Sequence, residues 1–273
     1  MLVCYLGQWG LCKPGNLSLD RGVDLKPIKK TPVIALLSLF LVAAFVAAKS
    51  APEVLFQDSY SGAGELGGHV ADVGGGYSCN ESGRAQVGGG QVTFFGGGTF
   101  SEQEGAHNCA LVDENDSPLI FKGGELQSFL RLFPTSAPGT VRSTFVEYKL
   151  GSINRITATR GIDNQMWIHG IFDDSDPWVV NVPDHDKEGT LRIVVNPKSR
   201  EVTVWWESRP DQGFVLLPSG KVVNPEFQVE ITSGGGGDTF INPDAAIEHL
   251  VVTEWQKEKK EKKPKKDKKE KSK

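Results

Sequence analysis

An all-β sandwich of antiparallel strands is the fold that this 273-residue sequence predicts. Three observations predict it. Glycine is abundant and clustered: there are 32, with triplets at 74–76, 88–90 and 96–98 and four in a row at 234–237. Between the clusters lie short runs of β-formers, several alternating apolar and polar residues with a period of two. Helical periodicity is nearly absent: only "GELQSFLRLF", residues 124–133, reads as a helix, and it reads equally well as a strand.

Taken from the N-terminus, residues 1–31 form an extension that carries Cys4 and Cys12 and ends in the basic "KPIKK". It matches no pattern, which suggests a true translation start near Leu25. Residues 32–48, "PVIALLSLFLVAAFVAA", are the one long apolar run, and their 17 residues sit at the lower edge of the roughly 17–25 that span a bilayer. Lys26, Lys29 and Lys30 precede the run, and Val46-Ala47-Ala48 closes it with small residues before Lys49. That is the layout of a signal peptide, the favoured reading, with an uncleaved membrane anchor as the alternative. Either way the body is exported, secreted or held at the periplasmic or cell surface. Membrane contact is then expected only through an uncleaved 32–48.

Residues 52–256 make the sandwich. Its opening stretch, "FQDSYSGAGELGGHVADVGGGYS" at 56–78, holds seven glycines. No helix follows to make a phosphate cradle, and the nearby Phe94, Phe95 and Phe100 do not suit a flexible linker. These glycines are read as turn residues. Cys79 and Cys109, 30 residues apart, are the two cysteines left after export, and a disulfide between them is expected in an oxidising compartment. "MWIHGIF" at 166–172 lacks clean alternation and reads as a central strand covered on both faces. "TLRIVV" at 190–195 sets Leu191, Ile193 and Val195 on one face. "EVTVWWE" at 201–207 sets Val202, Val204 and Trp206 inward and leaves Thr203 and Trp205 opposite. "NPKSRE" between these two has hairpin chemistry. "EFQVEI" at 226–231 aligns Phe227, Val229 and Ile231.

Two ends of this region resemble a known family. Phe56, Asp58, Tyr60, Leu66, Gly68, His69, Asp72, Gly74, Gly75 and Tyr77 are similar to the opening of exported concanavalin A-like (laminin G-like) jelly-roll domains. "AAIEHLVVTEW" at 245–255 resembles their last strand, with Glu248 where Asp is commoner. The resemblance implies a two-sheet antiparallel jelly roll with first and last strands adjacent. Its members include lectins, adhesion domains and glycan hydrolases or lyases, so fold alone does not select a function.

Chemistry narrows the choice. The Glu-x-Asp-x-x-Glu strand of jelly-roll glucanases is missing, and so are Gly-x-Ser-x-Gly and His-Glu-x-x-His. Glu147 and Glu207 are lone strand carboxylates, read as solvated. No catalytic residue is assigned, although acids brought together from separate strands would serve a hydrolase or lyase. Glycan binding needs aromatic platforms flanked by polar groups. Trp205 with Thr203 is the first candidate and Trp178 in "DDSDPW" the second. Asp173, Asp174 and Asp176 in the same loop are the candidate calcium ligands, whose bland reading is a solvated turn. "PDHD" at 183–186 is a weaker case of the same kind, and His169 and His185 stand too isolated for a metal or catalytic role.

Charge divides the chain. Residues 257–273 hold 11 Lys against three Glu and one Asp, a charge of +7 with no aliphatic or aromatic side chain, so a disordered tail is expected. Residues 1–50 carry +4, and the chain total of −4 leaves −15 for residues 51–256. The tail would meet anionic surface polymer by charge alone, or fold back on the acidic body, and specific nucleic-acid recognition is not expected. The sequence therefore predicts an exported, non-catalytic domain that binds extracellular or cell-surface glycan. A structural or adhesive protein-binding sandwich is the rival reading.

Overall fold

The computed structural model describes residues 51–80, 84–95, 107–134, 143–161, 163–184, 186–210, 212–234 and 243–256. The expectations placed on residues 1–48, on His185 and on the basic tail lie outside these residues. Among the described residues every regular element is a strand. The first ten are β1 (Val54–Asp58), β2 (Ala63–Glu65), β3 (Gly76–Cys79), β4 (Ala85–Gly88), β5 (Gln91–Phe95), β6 (His107–Val112), β7 (Phe121–Lys122), β8 (Gly124–Leu132), β9 (Thr144–Leu150) and β10 (Arg155–Arg160). There follow β11 (Met166–Phe172), β12 (Ser175–Asn181), β13 (Glu188–Val195), β14 (Glu201–Glu207), β15 (Val215–Leu216), β16 (Gly220–Lys221), β17 (Glu226–Phe227), β18 (Val229–Gly234) and β19 (Pro243–Thr253).

These build two antiparallel sheets. A ten-stranded sheet runs β15-β14-β13-β8-β19-β5-β4-β2, with β1 beside β19 and β16 beside β14. A seven-stranded sheet runs β12-β11-β10-β9-β18-β6-β3, and β17 with β7 makes a small ribbon. The long β19 is shared along one edge: its first half pairs with β5 and its second half with β1. First and last strands are thus adjacent, as the opening and closing stretches implied.

Period-two alternation decides which side chains fill the space between the sheets. From the ten-stranded sheet come Leu126, Leu130, Leu191, Ile193, Val202, Val204, Trp206, Leu250 and Val252; from the other, Tyr148, Ile156, Ile168, Val229 and Ile231. The ambiguous 124–133 stretch is the central strand β8, its Leu126, Ser128, Leu130 and Leu132 buried in alternation. Here the strand period wins over the helical one because β13 and β19 pair along both edges.

One expectation is corrected. Residues 166–172 are not covered on both faces: β11 alternates buried and half-buried positions and lies next to the sheet edge, with only β12 beyond it. Trp167, His169 and Ile171 point away from the core.

The opening stretch is a packed corner. Phe56, Tyr60, Leu66 and Tyr77 are buried, and so is Asp58, whose Oδ1 accepts the Tyr60 N–H at 2.7 Å. His69 Nε2 lies 3.3 Å from Asp58 Oδ2. Burial pushes the Tyr60 and Tyr77 hydroxyls well above the ordinary tyrosine range, so both stay protonated. The glycines here divide in role: Gly89 and Gly90, both at positive φ, turn the β4–β5 hairpin, whereas Gly74 and Gly75 pass between other strands.

Cys79 and Cys109 face each other across β3 and β6 and are bonded. Closing a 30-residue separation is worth about 3–4 kcal/mol on the chain-entropy account. Reduction, or the Cys79→Ser/Cys109→Ser double variant, is expected to lower unfolding stability by that amount in a urea titration. No change would mean that the β3–β6 ladder already confines the unfolded loop.

Candidate functional site

The three residues expected to bind sugar are not brought together. Trp205 and Thr203 lie on β14, on the outer face of the ten-stranded sheet, half-buried as alternation requires. The Arg192 guanidinium sits 4.8 Å from the Trp205 ring centroid, fixed by two hydrogen bonds of 2.7 Å to Glu125. That ring already has an internal cation–π partner on its face. Trp178 belongs to the other sheet and faces inward, packed against the core beside Phe172. The cause is its cross-strand neighbour, Gly170: a Cβ there would meet the indole at 2.3 Å, so the missing side chain is the space the ring fills. The first candidate, Trp205 with Thr203, and the second, Trp178, thus stand on different sheets.

Asp173, the first acid of the loop, is tied to distant segments of the chain. Asp173 Oδ1 accepts the Val223 N–H at 2.9 Å, and the Asp173 N–H donates to Asn154 Oδ1 at 2.9 Å. Asp174 and Asp176 are exposed. Among the described residues no three His, Cys, Asp or Glu side chains gather to hold a metal ion. The geometry therefore has Asp173 hold the loop to Val223, and it does not assemble Asp173, Asp174 and Asp176 as a ligand set among the described residues.

The outer face of the seven-stranded sheet carries what the sequence hid. Pairing registers align Val179, His169, Thr157, Glu147, Thr232 and Asn108 in one row across six strands. Beside it runs a row of Asn181, Trp167, Thr159, Phe145 and Gly234. On the other side run Ile171, Arg155, Lys149 and Glu230. A row of hydrogen-bonding groups between an aromatic row and a charged one suits a ligand with polar edges and apolar faces.

Glu147 was expected to be solvated, yet it is 7% exposed. Its Oε2 accepts the Thr157 hydroxyl at 2.8 Å, and Thr157 itself is 2% exposed. Arg155 Nε stands 3.8 Å from the same oxygen. Thr232 donates its hydroxyl to Asn108 Oδ1 at 2.6 Å, and Lys149 Nζ donates to Glu230 at 2.7 Å. Burial holds the His169 imidazole below its ordinary value, so at neutral pH it is uncharged, with one ring nitrogen a donor and the other an acceptor. Phe145 is buried but stands outside the core cluster, and Trp167 is half-buried. Between these two, Thr159 Oγ1 is buried with no hydrogen-bond partner among the described residues.

Sequence reasoning missed this face for a definable reason. Each strand offers only one or two of its members, and their juxtaposition comes from strand order. Alternation in "VEYKL" and "RITATR" marks Glu147, Thr157 and Thr159 as facing away from the core, and that is all it marks.

No protein-family model and no curated protein matches the chain. Solved structures to which it is similar include the VIP36 exoplasmic/lumenal domain in its Ca2+/Man2-bound form, at 8% identity over 72% of this chain and 88% of that one, with a TM-score of 0.48. A legume lectin-like domain from Entamoeba histolytica is 13% identical over 66% of this chain and 90% of its own, with a TM-score of 0.47. An endo-1,3-beta-glucanase from Streptomyces sioyaensis is 11% identical over 76% and 98%, with a TM-score of 0.46. At these identities and TM-scores the likeness says nothing of what this chain binds or does.

Proposed function

We propose that this chain is an exported, non-catalytic glycan-binding sandwich that uses the outer face of the seven-stranded sheet. The observation that carries the reading is Thr159: a buried hydroxyl without a partner among the described residues, its strand neighbours Phe145 and Trp167 on either side and the buried Glu147–Thr157 pair adjoining it. An unpaired buried hydroxyl costs about 1–3 kcal/mol, and a hydroxyl of a sugar seated on the half-buried Trp167 next to it would satisfy it. Both carboxylates of the face are engaged, Glu147 by Thr157 and Glu230 by Lys149. That favours binding over hydrolysis, which needs a free acid and a free nucleophile or base. Export is supported by the Cys79–Cys109 disulfide, a bond of oxidising compartments.

The test is a glycan array with residues 51–273, which contain every described residue, run with and without calcium. Trp167→Ala is expected to weaken binding by roughly tenfold or more, as loss of an aromatic anchor does. Trp205→Ala should leave it unchanged. The opposite pattern would transfer the site to the ten-stranded sheet, and dependence on calcium would restore a ligand role to Asp173, Asp174 and Asp176. A blank array from folded protein would leave the adhesive, protein-binding reading in its place.

A further inference from the structure

We infer that the glycan held on this face is acidic, bearing uronate carboxylates, and that Arg155 is the residue that selects for it; this rests on the glycan-binding reading above. Two other strand guanidinium groups are clamped by short contacts to carboxylates. Glu125 holds Arg192 through two hydrogen bonds of 2.7 Å, and Glu188 takes the Arg131 Nε–H at 2.6 Å. Arg155 differs. Its nearest carboxylate oxygen, Glu147 Oε2, is 3.8 Å away, beyond hydrogen-bond range, and its Nε is buried with no acceptor among the described residues.

The neighbours explain why neither carboxylate of this face closes in on Arg155. Glu147 receives the Thr157 hydroxyl, and Glu230, on the same row as Arg155, is taken by Lys149 at 2.7 Å. A guanidinium has five donors and no acceptor, and stays charged at any working pH. Its planar fork matches a carboxylate through two parallel bonds. The Arg155 side chain is 35% exposed, so the outer end of the fork is open to a ligand lying on the face. Arg155 and Thr159 lie four residues apart on β10, which is about 13 Å along a strand. Both point away from the core. A saccharide stacked on Trp167 beside Thr159 and running along β10 would bring a later unit to Arg155.

Long-range charge does not deliver such a ligand to the body. Residues 51–256 carry −15, and salt screens beyond roughly 8–10 Å. Preference for an acid must therefore come from a short contact, which Arg155 can make. The tail with its +7 would attract any polyanion, so the test has to separate the two.

The experiment titrates residues 51–273 by calorimetry with oligouronates (oligogalacturonate, oligomannuronate and hyaluronan fragments) and with the same oligomers after reduction of their carboxyls to hydroxymethyl groups. We expect the acid forms to bind roughly tenfold to a hundredfold more tightly than the reduced ones. Arg155→Gln should abolish that preference without weakening the reduced forms, and Arg155→Lys should restore part of it. Trp167→Ala should weaken both forms alike. Equal affinity for acid and reduced oligomers, both sensitive to Trp167→Ala, would overturn the acidic-ligand inference and leave the glycan-binding face standing. Preference for the acids that survives Arg155→Gln but vanishes in high salt would assign it to the tail, which also overturns the inference. Binding of neither form by folded protein would remove the inference, and with a blank array the glycan reading too.

Discussion

Trp206→Ala is expected to cost about 3–5 kcal/mol of unfolding free energy, the range for deleting a fully buried large aromatic side chain. Trp206 is 0% exposed and heads the largest fully buried side chains of the core. Its ring occupies the space left by Gly189, where a Cβ would come within 2.4 Å of the indole. Its Nε1–H donates to Pro183 O at 2.7 Å. Alanine would open a cavity between the sheets and strand that carbonyl at once. For a domain whose total stability is about 5–15 kcal/mol, such a loss is decisive. A urea titration followed by near-UV circular dichroism measures it. Trp206→Phe, which keeps most of the volume and drops the donor, should fall between the two. A change below about 1 kcal/mol for Trp206→Ala would contradict the packing described.

Gly75→Ala is expected to be nearly as damaging, through the backbone. Gly75 has φ +119°, and a Cβ on it would lie 2.0 Å from Val112 O and 2.9 Å from Asp113 Cα. Neither atom can rotate aside, so β6 itself must shift. Strain at such a φ costs about 1–3 kcal/mol, and forced overpacking costs a similar further amount. Gly62 provides the control, because its φ is +97° but nothing lies within 4 Å of the added carbon. Gly62→Ala therefore carries only the strain, and the difference between the two variants should read about 1–3 kcal/mol for the clash alone. Equal losses would mean that Val112 gives way without cost. The pair also divides the roles of the glycines in residues 56–78. Some turn the chain in open space, while Gly74 and Gly75 let strands pass at distances no side chain permits.

Much of this was legible in the sequence where the cause is local. The inward faces of β13 and β14 follow from alternation in "TLRIVV" and "EVTVWWE", because a pleated strand sends successive side chains to opposite sides. The β13–β14 hairpin was readable from "NPKSRE": Asn196 Oδ1 accepts the Lys198 and Ser199 N–H groups, and Arg200 takes the positive φ. The Cys79–Cys109 bond was legible by count, two cysteines remaining in the body that the export reading leaves.

The tertiary structure decided what depends on a partner from elsewhere in the chain. Residues 124–133 fit two periods, and pairing with β13 and β19 selected the strand. Trp178 turned inward because Gly170 stands across from it, a vacancy invisible until the register is known. Glu147 looked like any solvated strand carboxylate, and only its placement beside Thr157 and Thr232 buries it. The candidate face is a row of residues 108, 232, 147, 157 and 169. Such a row runs perpendicular to the chain, so it is written in the order of the strands. Alternation determines which side of a strand a residue faces; hydrogen-bond pairing between distant strands determines what it faces there.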